Sequence, residues 1–249
     1  MEIITKLLAF FIIYSLFGWM LESIYKTIYE KKIVNSGFLY GPFCPIYGIG
    51  ALIMYFFLDG YKKNVLLVFI IGFIVLSIWE YIVGLLLEKI FKTKYWDYSE
   101  KKFNIQGRVC LTNSFFWGTL GVIFIYFIHP QISKIVEQIP IKALYYATYG
   151  SIIYIIIDLV YSIINLNDLS KKVDKIKEIG ESIKQKLQEI KKLANSPIKI
   201  RAIEQIISDL KKQEETLREN LIKRTNDLKK KFPTMKSEKF SEFFNHKKR

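Results

Sequence analysis

The chain has 249 residues, of which 51% are hydrophobic and 24% charged, and its 37 Lys+Arg against 23 Asp+Glu give a formal net charge of +14. The large apolar share excludes low-complexity disorder, and two cysteines, Cys44 and Cys110, are too few for a disulfide-stapled secreted fold. Residues 1–164 hold 14 basic and 10 acidic residues, whereas residues 165–249 hold 23 and 13. This segregation predicts a membrane domain followed by a basic soluble segment.

Five apolar stretches occupy the first segment, at about 3–25, 43–58, 64–87, 109–129 and 142–164. A helix needs about 20 apolar residues to cross a bilayer, so four of these stretches are long enough to span. The second stretch is short and begins among Pro42, Pro45 and Gly48, which interrupt regular helix. It is therefore predicted to be either a short span or a re-entrant loop.

Charge asymmetry favours five spans over four. With the N-terminus outside and the C-terminus in the cytoplasm, five spans place nine Lys and Arg inside and five outside, whereas a re-entrant second stretch gives seven on each side. The prediction is a multi-pass membrane protein with a cytoplasmic C-terminus, with the lipid bilayer as its first partner. The loops after the first and third spans are then cytoplasmic.

This topology gathers the acidic residues of the spans on the cytoplasmic side. Such groups usually face protein or water at membrane depth, because exposure to lipid is costly. Glu80 lies on a stripe with Gly72 and Gly84 at four-residue spacing, where small residues would let another helix approach closely. We expect Glu80 to be buried against a partner, with Arg108 as the nearest counter-charge. The acidic residues are Glu22, Glu80, Glu88 and Asp158.

Alternatives stay open for the other three acids. Glu22 and Glu88 stand near the ends of their spans, so they could simply extend to the interface. Asp158 has Tyr154 and Tyr161 at helical spacing, whose hydroxyls could satisfy it by hydrogen bonding.

Two cytoplasmic loops supply the remaining candidate site residues. Together with the acids they predict a cytoplasm-facing polar pocket for a substrate or ion, of the kind that broken helices build in transporters. The alternative is a rigid turn that only packs. The further pocket candidates are Asn35, Trp96, Asp97, Tyr98, Asn104 and Arg108, and the residues expected to shape the first loop are Gly37, Gly41, Pro42, Pro45 and Gly48.

Both loops resemble a bacterial family described as ABC-transporter type IV, or CmpB-like permeases. The resemblance covers about residues 10–130, and Ser36 departs from it, since the family leads us to expect Arg there. It implies an integral protein of the bacterial inner (plasma) membrane whose ATPase is a separate subunit. The matching strings are Gly18-Trp19 with Glu22, the run from Asn35 to Ala51, Glu80-Tyr81, Glu88, Trp96-Asp97-Tyr98-Ser99, Phe103-Asn104, Gly107-Arg108-Val109-Cys110-Leu111, Trp117-Gly118 and His129-Pro130.

The chain carries no sequence motif for ATP hydrolysis, for zinc-dependent hydrolysis or for a serine nucleophile. It has no Gly-x-x-x-x-Gly-Lys-Ser/Thr phosphate loop, no His-Glu-x-x-His and no Gly-x-Ser-x-Gly, and its histidines are His129 and His246. We therefore expect no cofactor and no metal site, and favour a protein that is not an enzyme.

After Leu169 the apolar residues follow a heptad pattern, which resumes beyond Asn195-Ser196-Pro197. This pattern predicts an antiparallel coiled-coil hairpin, with Ser196 capping and Pro197 beginning the second helix. Glu214 and Arg224 occupy seam positions and are expected to weaken the pairing and leave room for a partner. The predicted domains are 1–164 in the membrane, 165–232 as the hairpin and 233–249 as a basic flexible tail.

The fold class is thus all-α, a polytopic membrane helix bundle with a coiled-coil hairpin. Its function is predicted as a transporter or permease subunit. The alternatives are a membrane-embedded enzyme that acts on a lipid or lipid-linked substrate through Glu80 or Asp97, and a scaffold that acts through the hairpin. A separate ATPase or another protein on the hairpin, and further copies of the chain, are the candidate partners. No motif supports nucleic-acid binding.

Overall fold

A computed structural model describes residues 2–192, 197–237 and 239–241. The architecture is helical, as expected. Its helices are α1 (Glu2–Glu30), α2 (Pro45–Leu58), α3 (Val65–Phe91), α4 (Leu111–Ile123), α5 (His129–Gln138), α6 (Ile141–Lys192) and α7 (Pro197–Lys231), with a 3-10 turn at Asp59–Tyr61 and a π-helical turn at Phe124–Ile128. Four two-residue strands complete it: β1 (Thr93–Lys94), β2 (Asn104–Ile105), β3 (Val109–Cys110) and β4 (Lys236–Ser237).

Four helical stretches in the described residues are long and apolar enough to cross a membrane: Glu2–Tyr29, Val65–Phe91, Leu111–Gln138 and Ile141–Ile190. They correspond to the four long stretches predicted from the sequence. The third of them joins α4 and α5 through the π-helical turn, so this helical stretch runs beyond the predicted end near residue 129. The predicted short second stretch is α2, whose 14 residues extend about 21 Å.

Glycines let α3 and α4 pack closely. A Cβ added to Gly72 would lie 3.7 Å from the Cα of Gly118, and one added to Gly121 would lie 3.6 Å from the Cα of Gly72. Gly72, which belongs to the predicted stripe, therefore allows the close approach of another helix that the sequence predicted. The apolar core beside them draws on α1, α2, α3 and α5, and its members include Phe10, Tyr14, Leu58, Val68, Leu76, Phe124 and Val136.

The connection from α3 to α4 closes with a small antiparallel hairpin. Asn104 pairs with Cys110 and Ile105 with Val109. Gln106 and Gly107 at its tip both have positive φ, 53° and 72°, as a tight hairpin turn requires. The hairpin returns the chain to the start of α4 with Arg108 at its edge.

The chain divides into two compact units. The first comprises the residues up to Ser162 together with Lys231–Lys236, and the second comprises Ile163–Lys230 and the chain from Ser237. The fifth apolar stretch and the first hairpin helix, which the sequence treats as separate elements, are one helix, α6. No proline lies between 141 and 192 to interrupt it.

In the second unit, isoleucines of α6 pack against isoleucines of α7. Ile179 and Ile183 form a buried cluster with Ile203 and Ile207. Arg224, expected to weaken the pairing, instead donates to Asp168 at 2.8 Å. The proposed cap Ser196 and the turn residue Asn195 lie outside the described residues, as do Glu238 and 242–249 of the predicted tail.

Candidate functional site

Glu22 of α1 is hydrogen-bonded to three side chains. Its carboxylate accepts hydrogen bonds from Ser36 Oγ at 2.6 Å, Tyr47 Oη at 2.9 Å and Lys26 Nζ at 3.0 Å. Lys26 also donates to Ser36 at 2.7 Å. Lys26, one helical turn along α1, thus supplies a cation beside Ser36, the position where the resemblance leads us to expect Arg.

The first loop is fastened at Asn35. The side-chain oxygen of Asn35 accepts from Trp19 Nε1 at 2.6 Å, and its amide donates to the Tyr40 carbonyl at 2.6 Å. Asn35 therefore links α1 to the far end of the loop. Asn35, a predicted site residue, therefore holds the first loop in place.

Asp158 of α6 binds the backbone of the same loop. Its two carboxylate oxygens accept the N–H groups of Tyr40 at 3.0 Å and Gly41 at 2.7 Å. The sequence suggested hydroxyl donors from neighbouring tyrosines, whereas the structure places these two backbone amides and Ser162 at 3.4 Å there. A Cβ on Gly41 would lie 2.5 Å from Tyr154 Oη and 2.9 Å from Asp158 Oδ2, so a larger residue there would require these side chains to move.

The other loop-shaping residues set the entry to α2. Gly37 has a φ of 94°, which favours glycine. Pro45 begins α2, a position where its fixed φ suits the helix and its missing N–H costs nothing. Pro42 lies in the turn between Gly41 and α2, and Gly48 is buried where α2 meets Phe11 and Ser15 of α1.

Glu80 is 6% exposed in the middle of α3. Three neutral groups donate to its carboxylate: Trp117 Nε1 at 3.0 Å, Asn113 Nδ2 at 3.2 Å and Tyr98 Oη at 3.2 Å. Two of them come from α4 and one from the second loop. The predicted burial against a partner is therefore found, but the partners are neutral donors and not Arg108.

Tyr98 is held as a donor by its surroundings. Burial, followed by the nearby Glu80 charge, raises the pKa of Tyr98. The phenol therefore keeps its proton at physiological pH and can donate to the carboxylate. Asn113 Nδ2 in turn donates to Tyr98 Oη at 2.6 Å, which fixes the ring between loop and helix.

Arg108 pairs with Glu88, two turns from Glu80. The guanidinium approaches one carboxylate oxygen through Nη2 at 2.7 Å and Nε at 3.0 Å, and it also donates to Gln106. Trp96 Nε1 donates to the Arg108 carbonyl at 2.8 Å. Gly84 leaves room for both, since a Cβ there would meet Trp96 at 3.3 Å and Arg108 at 3.4 Å.

Asp97 and Asn104 organise the second loop. Asp97 accepts from the backbone N–H and hydroxyl of Ser99 and forms an ion pair with Lys236 at 2.5 Å. Burial alone would raise the pKa of Asp97, but the hydrogen bonds from Lys236 and Ser99 together lower it. Asn104 donates to the carbonyls of Ser99 and Lys101 and accepts from Gly107.

The site residues therefore fall into small polar groups rather than one shell. Glu22 and Glu80 each accept a hydrogen bond from a tyrosine hydroxyl, Tyr47 and Tyr98 respectively. Asp158 and the Glu88–Arg108 pair are anchored separately. Within the described part of the chain, no three His, Cys, Asp or Glu side chains are arranged to hold a metal ion.

Sequence comparison bears on this arrangement. The family model described as "Putative ABC-transporter type IV" matches residues 9–163. The chain belongs to this family. No curated protein and no solved structure matches the chain. The match covers most of the first and fifth apolar stretches, the three between them and both loops, so the polar groups of the candidate site lie within the family's own region, and residues 164–249 lie outside it.

Several contributing residues were not predicted. The sequence does not single out Asn113 and Trp117 of α4 as partners of Glu80, although an amide in an apolar stretch is a usable signal. Ser36 and Tyr47 at Glu22 carried no such signal, because their contacts depend on how α1, α2 and the loop meet. Lys236 lies 139 positions after Asp97, beyond the reach of any local pattern.

Proposed function

We propose that the chain is the permease component of an ABC-type transporter, with a polar site that faces the cytoplasm and an ATPase on a separate subunit. The observation that carries this proposal is Glu80, a carboxylate 6% exposed within a candidate span whose described donors are neutral. A charge held this way at membrane depth typically marks a substrate or ion pathway.

The other acids have supporting tasks in this proposal. Asp158 holds the first loop through two backbone N–H groups, and Asp97 holds the second loop through Ser99 and Lys236. These contacts favour a positioning role for Asp97 over the acid–base role that a lipid-modifying enzyme would require. Glu80, reached through Tyr98, is the group we assign to substrate or ion contact.

The decisive experiment is purification of the native complex from membranes, followed by ATPase measurement. An ATPase that co-purifies in fixed stoichiometry supports the permease assignment, and the same preparation reports whether the chain is a homo-oligomer. Glu80→Gln should change the activity of that ATPase severalfold without loss of assembly. Thr119→Val is the matched control, because the Thr119 hydroxyl bonds within α4 to the Phe115 carbonyl. Absence of any ATPase partner would contradict the proposal.

The orientation has its own test. Single cysteines at the exposed positions Lys31 and Lys101 should react with a membrane-impermeant thiol reagent only from the cytoplasmic side. A cysteine at Lys62, beyond α2, should react from the outside if α2 spans the membrane. Labelling of residues 31 and 101 from outside would refute a cytoplasm-facing site.

We also propose that residues 165–232 form an antiparallel coiled-coil arm for a protein partner. The buried cluster of Ile179, Ile183, Ile203 and Ile207 and the ion pair of Asp168 with Arg224 support this pairing. Spin labels at Lys171 and Asn220 should be close together, whereas labels at Lys171 and Arg201 should be more than about 20 Å apart, given 1.5 Å of rise per residue. The reverse order of distances would exclude the hairpin and, with it, a scaffold role.

A further inference from the structure

The segment Lys231–Lys236, which follows α7, lies on the two loops that carry the polar site. Phe232 packs edge-on against the Tyr95 ring, with ring centroids 4.8 Å apart and an interplanar angle of 83°. Lys236 forms the ion pair with Asp97 at 2.5 Å. Met235 between them is 1% exposed. Ring contact, charge pairing and an apolar anchor thus act within six residues.

The segment is bent by a backbone turn. The Met235 N–H donates to the Phe232 carbonyl at 3.0 Å, which closes a four-residue turn. Pro233 occupies its second position, where the fixed φ of proline suits a turn. Within this turn Met235 is buried and Phe232 half-buried, while Pro233 and Thr234 are exposed.

The segment also contacts residues adjacent to three separate carboxylates. Lys26, the cation beside Glu22, lies over the Phe232 ring with Nζ 5.2 Å from its centroid. Lys231 lies over the Tyr40 ring at 5.4 Å. The Asp97 N–H donates to Thr234 Oγ1 at 3.4 Å.

Each contacted residue either binds an acid of the site or stands next in sequence to a residue that does. Lys26 binds Glu22, the Tyr40 N–H binds Asp158, and Asp97 precedes Tyr98, which binds Glu80. The segment is therefore in contact with a neighbour of each of these three carboxylates.

We propose that the two loops form a binding site for a short, turn-containing peptide of basic, aromatic and apolar residues, and that the resident ligand is the chain's own segment Lys231–Lys236. In this arrangement the segment is a strap that closes the cytoplasmic approach to the carboxylates, and its release opens them. The regulatory consequence rests on the proposed function, whereas the contact itself does not.

Hydrogen–deuterium exchange of the full-length protein in lipid nanodiscs tests the contact. In the variant Phe232→Ser/Met235→Ser, peptides that contain Tyr40 and Gly41, and those that contain Asp97 and Tyr98, should exchange about tenfold faster than in the wild type, since local opening governs exchange. Lys230→Ala is the control, because Lys230 pairs with Asp227 inside α7. It should leave these peptides unchanged.

A synthetic peptide with the sequence of residues 231–236 supplies the converse test. Added to the double variant, it should restore slow exchange in both loops, whereas a peptide of the same composition in scrambled order should not. If the double variant speeds exchange throughout α3 and α4 as well, it has lost its fold. The milder Lys236→Glu then decides, since that side chain is 63% exposed.

Unchanged exchange in both loops for Lys236→Glu and the double variant, or equal rescue by the scrambled peptide, would overturn the strap. These readouts need neither an ATPase nor a substrate. A failed ATPase test with a positive exchange result would leave the peptide site standing and remove the permease assignment, so the two failures are distinguishable.

Discussion

The guanidinium of Arg108 lies 2.7 Å from the carboxylate of Glu88 and leaves Glu80 to neutral donors. Glu88 is eight residues further along α3, so both acids belong to one helical stripe. Arg108 is fixed at the edge of the β2–β3 hairpin, and this hairpin reaches the end of α3 rather than its middle. The charge pair therefore closes the end of the helix, while Glu80 remains an ionisable group without a described cation.

A double-mutant cycle should detect this choice of partner. Neutralising Arg108 and Glu88 together, as Arg108→Gln with Glu88→Gln, should give a coupling free energy of about 1 kcal/mol, because the pair is only partly exposed. A second cycle, which combines Arg108→Gln with Glu80→Gln, should give a coupling free energy near zero. Unfolding in mixed detergent micelles measures both, and a larger coupling to Glu80 would contradict the observed pairing.

Asp158→Asn should destabilise the membrane domain by about 2 kcal/mol, because one oxygen is replaced by an NH₂ group that cannot accept from the second backbone N–H. Ser162→Ala is a control, since it removes only a 3.4 Å hydrogen bond to the same carboxylate. The midpoint of thermal unfolding of each purified protein gives the comparison. Equal effects of the two substitutions would show that the loop amides are not held by Asp158.

Gly118→Ala should separate α3 from α4. The added Cβ would stand 2.9 Å from the backbone carbonyl oxygen of Phe69, which cannot rotate away, so we expect a cost of about 1–3 kcal/mol. Gly150→Ala in α6 is the matched control, because nothing lies within 4 Å of its added Cβ. That change should be neutral or stabilising, since alanine favours helix over glycine. Equal loss in thermal stability for both variants would argue against close packing at Gly118.

The Asp97–Lys236 pair should persist from about pH 5 to about pH 9, given ordinary pKa values near 3.9 and 10.4. The folded pKa of Asp97 is lowered, so its stabilisation is present above its unfolded pKa and is lost as the pH falls through the folded value. The hydrogen bond that Lys236 donates to Asp97 raises the pKa of Lys236, so that contribution is present at lower pH and is lost as the pH rises through the folded pKa.

An NMR pH titration of the ¹³C-labelled aspartate carboxyl groups measures the pKa of Asp97 and so checks its pairing with Lys236. Asp97→Asn identifies the Asp97 resonance, and Lys236→Gln should move the pKa of Asp97 upward because it removes the strongest lowering contact. An Asp97 pKa that stays the same in Lys236→Gln would contradict the ion pair.

The sequence by itself determined the helical membrane architecture, because apolar length and helical periodicity are local properties. The spacing of Gly72, Glu80 and Gly84 was sufficient to place them on one face of α3, and the two small residues do meet close neighbours there. Likewise the short α2 followed from the Pro and Gly residues at its start. Even the burial of Glu80 could be predicted, since lipid is a poor solvent for a carboxylate.

Only the tertiary structure decided which groups meet. Arg108 could be matched to Glu80 by proximity in sequence order, but the hairpin geometry directs it to Glu88. The donors at Asp158 are backbone N–H groups, which every residue has and no sequence pattern can single out. Lys236 reaches Asp97 across 139 positions because the chain returns after α7. Local sequence sets where each polar group stands on its element, and the packing of the elements sets its partner.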